Sequence, residues 1–184
     1  MSKGKKIVIL TGSPRKSGNS DLMAEAFAEG ARAGGHEVLV YSAGRSDIKG
    51  CRACGQCFSK GKPCIFDDDD YNNLAPQLEA ADMLVLAAPV YYYTFPAQLK
   101  AVIDRFYCYS YSGRPLKNKE SVLLSCAEES REAAFKPTIE TYKAICWYLN
   151  WKDLGIITAM GVNAKGDIKD TDYLDKCREL GKSV

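Results

Sequence analysis

The sequence has 184 residues, of which 46% are hydrophobic and 26% are charged, as in a single globular domain with a sizeable core. Its 25 basic and 23 acidic residues give a net charge of +2, which supplies no electrostatic attraction to nucleic acid or anionic membranes. No apolar run approaches the roughly 18–20 residues needed to cross a bilayer. The run after the basic residues 1–6 is also too short for a secretory signal. We therefore expect one cytoplasmic domain over residues 1–184, without nucleic-acid or membrane partners.

Five apolar runs recur along the chain, at residues 7–11, 38–41, 83–88, 121–127 and 154–162. Because these runs do not alternate cleanly with polar residues, they predict strands buried on both faces of a parallel sheet. Apolar residues at helical spacing occupy the gaps between these runs. They predict a first helix from Asp21, ended by Gly34-Gly35, and further helices at residues 74–81, 97–106, 135–149 and 171–180. Gly181 is predicted to end the last helix. The alternation predicts a doubly wound α/β sheet of five parallel strands.

The turn between the first strand and the first helix, residues 11–20, reads TGSPRKSGNS. Hydroxyls, an amide, cations and backbone N–H groups at the positive end of a helix dipole are the groups that bind a phosphate. The turn lacks the lysine pattern of nucleotide triphosphate loops and the G-x-G-x-x-G of dinucleotide sites. A phosphate site is therefore predicted, and the alternative is an ordinary polar turn with a serine cap.

This turn resembles the phosphate-binding loop of flavodoxin-like NAD(P)H-dependent FMN reductases and of the related iron–sulfur flavoproteins. The resemblance continues at residues 50–69 and 82–105, which include APVY at 88–91 and PAQLKAVIDR at 96–105, so that it covers most of residues 5–127. It implies a flavodoxin-like fold with strand order 2-1-3-4-5, FMN as cofactor, NAD(P)H as electron donor and a homodimer or homotetramer. It assigns the FMN phosphate to Ser13, Arg15, Ser17, Asn19 and Ser20.

The loop at residues 88–95 follows the third strand, and ligands of such sheets bind outside the carboxyl ends of the strands. The resemblance assigns the isoalloxazine ring to Pro89, Val90, Tyr91 and Tyr92. Tyr93 and Phe95 are bulkier than the residues of many relatives, and their alternative role is packing against a neighbouring subunit. A third loop, residues 125–129, is expected to complete the pocket through Ser125, although its two glutamates are unexpected near an anionic cofactor.

Four of the eight cysteines lie close together in the pattern Cys51-x2-Cys54-x2-Cys57-x6-Cys64. In a reducing compartment this spacing favours metal ligation over disulfides. The spacing resembles that of iron–sulfur flavoproteins and implies a [4Fe–4S] cluster. Zinc and structural thiols without metal are the alternatives. The acidic run at residues 67–70 is predicted to be the solvated start of a helix.

The resemblance implies an FMN-dependent oxidoreductase that passes electrons from NAD(P)H to a flavin, a quinone or a similar acceptor, which is a small molecule or a protein. No catalytic side chain is predicted, because the flavin carries the chemistry. The first alternative is an iron–sulfur flavoprotein that acts as an electron carrier, and another is a redox module without catalysis. A third is a phosphatase, suggested by the Cys-x5-Arg spacing of Cys108 and Arg114. Asp104 and Arg105 are predicted to be structural or intersubunit charges.

Overall fold

The fold is given by a computed structural model that describes residues 4–184, so the first three residues of the basic N-terminus lie outside it. Five parallel strands form one sheet in the order β2-β1-β3-β4-β5. Their bounds are β1 Lys6–Thr11, β2 Glu37–Tyr41, β3 Met83–Pro89, β4 Glu120–Cys126 and β5 Lys152–Ala159. The predicted doubly wound fold, its parallel strands and its strand order are confirmed.

Six helices cover the two faces of the sheet in the described part of the chain. They are α1 Asn19–Ala33, α2 Tyr71–Ala80, α3 Ala97–Asp104, α4 Tyr107–Tyr111, α5 Lys136–Leu149 and α6 Tyr173–Ser183. Successive residues of β1 point to opposite layers, because strand side chains alternate. Ile7 and Ile9 pack in the core that holds α1 and α6, whereas Val8 and Leu10 pack in the core that holds the other four helices.

The helix predicted over residues 97–106 corresponds to α3, which ends at Asp104, and the short helix α4 after it was not predicted. The N–H groups of Arg105 and Phe106 bond to the carbonyls three residues earlier, at 3.1 and 3.0 Å, so the end of α3 tightens into a 3-10 turn. At this break the Arg105 side chain forms a buried ion pair with Asp69. The prediction that residues 67–70 are solvated is therefore wrong for Asp69, whose side chain is 1% exposed.

Gly181 lies inside α6 and does not end it, contrary to the prediction. A Cβ atom at Gly181 would lie 2.2 Å from the Phe27 carbonyl oxygen of α1, and one at Gly30 would lie 1.9 Å from the Arg178 oxygen of α6. These glycines allow α1 and α6 to pack with their backbones in contact. No sequence pattern distinguishes this role from that of a helix terminator.

The segment between residues 46 and 70 carries the four clustered cysteines and contains no strand or helix. Hydrogen bonds between Asp47 and Asp70, at 2.8 and 3.0 Å, tie its two ends together, so it forms a closed loop anchored to the start of α2.

Within residues 4–184, no helix combines the length and apolarity that a transmembrane span requires.

Candidate functional site

A cavity of about 600 Å³ opens at the carboxyl ends of β1, β3, β4 and β5. In a doubly wound sheet this is the edge at which ligands bind. Four loops supply its wall, with Ser13, Arg15, Gly18, Asn19 and Ser20 after β1, residues 89–93 after β3, residues 126–129 with Ala134 after β4, and Val162, Asn163 and Lys165 after β5. The structure therefore brings eight of the ten predicted cofactor-binding residues to one cavity.

The two exceptions are Ser17 and Ser125, which do not line the cavity. Ser17 is exposed on the outer side of the turn, and its N–H donates to Asp21 at 2.9 Å. Ser125 is 1% exposed in β4, and its hydroxyl has no hydrogen-bond partner among the described residues. Both residues are next in sequence to residues that line the cavity, Gly18 and Cys126.

Ser20 carries the polar group that is best placed to bind an anion in the turn. Its side chain is 1% exposed, and within the described chain its hydroxyl has no hydrogen-bond partner. Gly18, the N-cap of α1, cannot cap the helix with a side chain. Because an unpaired buried hydroxyl is costly, this group and the N-terminus of α1 fit a phosphate that enters the cavity.

The conformation of the turn is held by Asp21 and Arg45, two residues that no motif in the sequence indicates. Arg45 donates to Asp21 at 2.9 Å and to the Ser13 carbonyl at 3.0 Å, while Asp21 also accepts the Ser17 N–H. Ser17 adopts a φ of 55°, a conformation that non-glycine residues rarely adopt. Gly44 permits this arrangement, since a Cβ there would lie 2.3 Å from the Ser13 oxygen.

Asn19 connects the turn to the loop after β5. Its amide nitrogen donates to the Ala164 carbonyl, and its oxygen accepts the Gly166 N–H, both at 3.0 Å. The predicted phosphate contact of Asn19 would therefore have to use its second N–H. This link places Asn163 and Lys165 at the cavity, a contribution that no motif in the sequence signals.

The loop after β3 ends in a tight turn whose two central residues are tyrosines. Tyr91 and Thr94 exchange backbone hydrogen bonds of 2.9 and 3.2 Å, and Tyr92 and Tyr93 between them have φ values of 48° and 68°. Such turns favour glycine or asparagine, so the tyrosines hold a strained backbone. The turn projects Tyr92 outward with 99% of its surface exposed.

The two glutamates after β4 line the cavity, but one of them is neutralised by a neighbour. Glu129 accepts hydrogen bonds from the Arg131 guanidinium at 2.7 and 3.0 Å. The guanidinium keeps the pKa of Glu129 below its ordinary value. At the end of β4, burial raises the pKa of Cys126 to about 12, so this thiol stays neutral.

A second cavity lies between the long loop and α4, and the four clustered cysteines Cys51, Cys54, Cys57 and Cys64 all line it. Burial raises the pKa of Cys57, and the three neighbouring thiols raise it further. Four thiols in one cavity are the donor set of an iron–sulfur cluster. The free volume is about 30 Å³, and among the described residues no three ligands form a ready metal site. Metal binding would therefore require the loop to open.

Arg105 lies in the wall of this second cavity. Its guanidinium forms an ion pair with Asp69 and stacks 4.1 Å from the centre of the Tyr71 ring. Burial acts to lower the pKa of Arg105, but the Asp69 carboxylate and the adjacent Cys64 thiol hold it above its ordinary value. The cavity therefore contains a permanent buried cation beside a potential thiolate ligand.

The phosphatase alternative requires an exposed thiolate in a loop that joins a strand to a helix. Cys108 instead lies within α4 and is 5% exposed, and burial raises its pKa to about 12. Arg114 lies over the Phe58 ring at 4.9 Å. A protonated thiol on a helix cannot act as the nucleophile of this reaction.

Comparison with known proteins places these features in context. The family model described as NADPH-dependent FMN reductase matches residues 5–155. An iron–sulfur flavoprotein of Archaeoglobus fulgidus is 39% identical over 97% of this chain and 78% of its own length. An iron–sulfur flavoprotein of Methanosarcina thermophila is 35% identical over 74% of this chain and 70% of its own length.

A similar fold occurs in the solved structure of an NAD(P)H:quinone oxidoreductase from Methanothermobacter marburgensis. The two structures superpose with a TM-score of 0.73 over 98% of this chain and 97% of that one, at 19% sequence identity. At this identity the likeness supports the flavodoxin-like fold and nothing more specific.

Proposed function

The chain belongs to the NADPH-dependent FMN reductase family, and we propose that this oxidoreductase binds FMN in the cavity at the carboxyl ends of the strands. In the proposed reaction it takes electrons from NAD(P)H and passes them to a flavin, a quinone or a similar acceptor. Bound FMN would supply a centre that accepts a hydride and releases electrons. The protein supplies binding, orientation and electrostatics.

The observation that carries this proposal is that residues suited to bind a phosphate and residues suited to bind a flavin ring line the same cavity. The loop after β1 brings Ser20 and Arg15 to this cavity, and the end of β3 with its following loop brings Pro89, Val90 and Tyr91. The volume of about 600 Å³ lies within the range of small-molecule and cofactor sites. In this proposal Ser13, Arg15, Asn19 and Ser20 surround the phosphate.

Pro89, Val90, Tyr91 and Tyr92 are proposed to hold the isoalloxazine ring. The Val90 N–H donates to the Cys126 carbonyl at 2.8 Å, which fixes the loop after β3 against the loop after β4. Thr138 of α5 donates to the Tyr93 carbonyl at 3.1 Å. Both contacts hold the strained tyrosine turn in place, so that the ring site exists before the cofactor binds.

The test is anaerobic mixing of the FMN-loaded protein with NADH and, separately, with NADPH. We expect one of them to bleach the long-wavelength band of the oxidised flavin, and added quinone or free flavin to restore it with continued turnover. A flavin band that both nucleotides leave unchanged would overturn the proposed reaction. Failure of the protein to take up FMN would overturn the proposed site.

A second function is favoured by the cysteine cavity and by the iron–sulfur flavoprotein relatives. We propose that Cys51, Cys54, Cys57 and Cys64 bind a [4Fe–4S] cluster, so that the chain exchanges electrons with a protein partner as well as with small molecules. The cluster would supply one-electron steps. The exposed Cys51 and Cys54 would bring it near the surface, where a partner can approach.

This second function is tested by iron and sulfide analysis of protein prepared without oxygen, together with electron paramagnetic resonance of the reduced sample. Cys57→Ser should lose the iron, whereas Cys146→Ser, outside the cavity, should retain it. FMN content measured in parallel verifies that both variants are folded. Absence of iron from the wild-type protein would contradict the proposal and leave the flavin proposal intact.

We further propose that the chain forms a homodimer or homotetramer. Four large aromatic side chains on α4 and α5 are 52–83% exposed, namely Tyr107, Tyr111, Trp147 and Tyr148, and clustered exposed apolar surface marks interaction sites. Light scattering should give at least twice the monomer mass, and Trp147→Glu should reduce it. A monomeric wild-type protein would contradict this proposal.

A further inference from the structure

Arg105 has one hydrogen-bonding group that its structural contacts do not use. The residue is 4% exposed. Its Nη1 bonds to Asp69 and, at 3.3 Å, to the Lys49 carbonyl. Its Nη2 is buried and has no hydrogen-bond partner among the described residues. The side chain lines the cavity of the four clustered cysteines and lies beside Cys64.

An unpaired donor on a buried guanidinium is costly, and a neutral thiol accepts hydrogen bonds only weakly. Asp69 already balances the charge of Arg105 and is itself buried. A thiolate or an inorganic sulfide would accept the remaining N–H in a charge-assisted bond. An anionic sulfur beside Arg105 would therefore satisfy the donor that its structural contacts leave unpaired.

Cys64 is the cysteine that most requires such support, because six residues separate it from the compact group formed by Cys51, Cys54 and Cys57. Its backbone is held by Asn72 of α2, whose amide accepts the Cys64 N–H at 3.0 Å and donates to the Cys64 carbonyl at 2.9 Å. Arg105 reaches the same residue from the end of α3. The fold therefore anchors the backbone of Cys64 to α2 and places the Arg105 side chain in the same cavity.

We propose that Arg105 is a positioning residue for the metal centre, where its Nη2 donates to the sulfur of Cys64 and sets both the retention of the centre and its reduction potential. This inference rests on the proposed [4Fe–4S] site. A hydrogen bond and a positive charge at a ligand sulfur stabilise the more negative, reduced state, and thus raise the potential.

The test compares wild-type protein with Arg105→Lys, prepared without oxygen. Lysine keeps the positive charge for Asp69 but lacks the forked pair of donors. We expect at least a twofold loss of iron after gel filtration and, in the remaining clusters, a more negative midpoint potential. The matched control is Arg52→Lys, since Arg52 lines the same cavity but its side chain is 47% exposed.

A purely structural role for Arg105 would change thermal stability without moving the potential. Unchanged iron content and potential in a folded Arg105→Lys protein would therefore overturn the inference. If this variant does not fold, judged by FMN content, Arg105→Gln replaces it. In a Cys64→Ser background, Arg105→Lys should cause no further loss of iron, and an additive loss would show that Arg105 does not act through Cys64.

The iron content of the wild-type protein separates the two possible failures. Iron-free wild-type protein overturns the cluster and the role of Arg105 together. A wild-type cluster that is indifferent to Arg105 overturns only the positioning role.

Discussion

Asn19 and Ser20 are neighbours at the β1–α1 turn and were both assigned to the phosphate, but their side chains differ in hydrogen bonding. The Asn19 side chain is bonded to the loop after β5 on both its nitrogen and its oxygen. The Ser20 hydroxyl is buried and has no protein partner in the described chain. The sequence identifies both as polar groups at a helix start, but only the tertiary structure distinguishes the one already paired from the one that needs a ligand.

Arg15 is expected to contribute directly to FMN affinity, because it lines the cavity and a guanidinium bonds strongly to phosphate. Arg15→Ala should raise the Kd for FMN by about tenfold, the loss of one charge-assisted hydrogen bond. Quenching of flavin fluorescence measures this Kd. Lys16→Ala is the matched control, since Lys16 is exposed and does not line the cavity. An equal effect of the two substitutions would contradict the assignment.

Cys177 should resist alkylation in the folded protein. It is fully buried in α6, and burial raises its pKa to about 12, so the reactive thiolate is suppressed until the pH approaches that value. Iodoacetamide treatment at pH 8 followed by peptide mass spectrometry should leave Cys177 unmodified. The same chain unfolded in urea should be labelled there, and rapid labelling of the folded protein would show that α6 opens readily.

At the scale of elements, the tyrosine turn after β3 keeps a strained backbone at the ring site. Replacing Tyr92 and Tyr93 by Asn and Gly should stabilise the apoprotein by about 1–2 kcal/mol, because this sequence suits positive φ. The same change should weaken FMN binding, because it removes the aromatic ring of Tyr92. Thermal unfolding and fluorescence titration measure the two effects.

The matched control for this change is Tyr111→Asn, an exposed tyrosine that does not line the FMN cavity. It should leave FMN affinity unchanged. If the Asn-Gly variant keeps full FMN affinity, the tyrosine turn does not contact the ring.

The crossing of α1 and α6 depends on glycine, because their backbones meet at Gly30 and Gly181. Gly181→Ala should destabilise the protein by about 1–3 kcal/mol through overpacking, which lowers the Tm by roughly 2–10 °C for a chain of this size. Ser183→Ala in the same helix is the control and should have little effect. A Tm of Gly181→Ala at or above the wild-type value would contradict the close packing.

The strands were predictable because the signal for a buried parallel strand is local, and the five apolar runs differ from β1–β5 only at their ends. The end of α3 at Asp104 was not predictable to the residue, because the apolar helical spacing continues to Phe106. Its position coincides with the ion pair between Arg105 and Asp69, which are 36 residues apart in sequence. Gly181 was misassigned for a similar reason, since its partner Phe27 lies on a different helix.

At the scale of the whole molecule, the sequence predicted three of the four loops that form the FMN cavity. Those loops follow from family motifs or from strand order. The loop after β5 contains no such motif, and it reaches the cavity through its bonds to Asn19. Arg45 was equally difficult to predict, because its contact with Asp21 joins the start of α1 to a residue after β2 that is 24 positions away in sequence.

The central claim is that one cavity holds FMN, with its phosphate at the β1–α1 turn and its ring at the β3 loop. The most direct measurement is a crystal structure of the protein with FMN bound. We expect the phosphate within hydrogen-bonding distance of the Ser20 hydroxyl and the Arg15 guanidinium, with the ring against Pro89, Val90 and Tyr91. A flavin bound outside this cavity, or with its phosphate away from Ser20 and Arg15, would contradict the account.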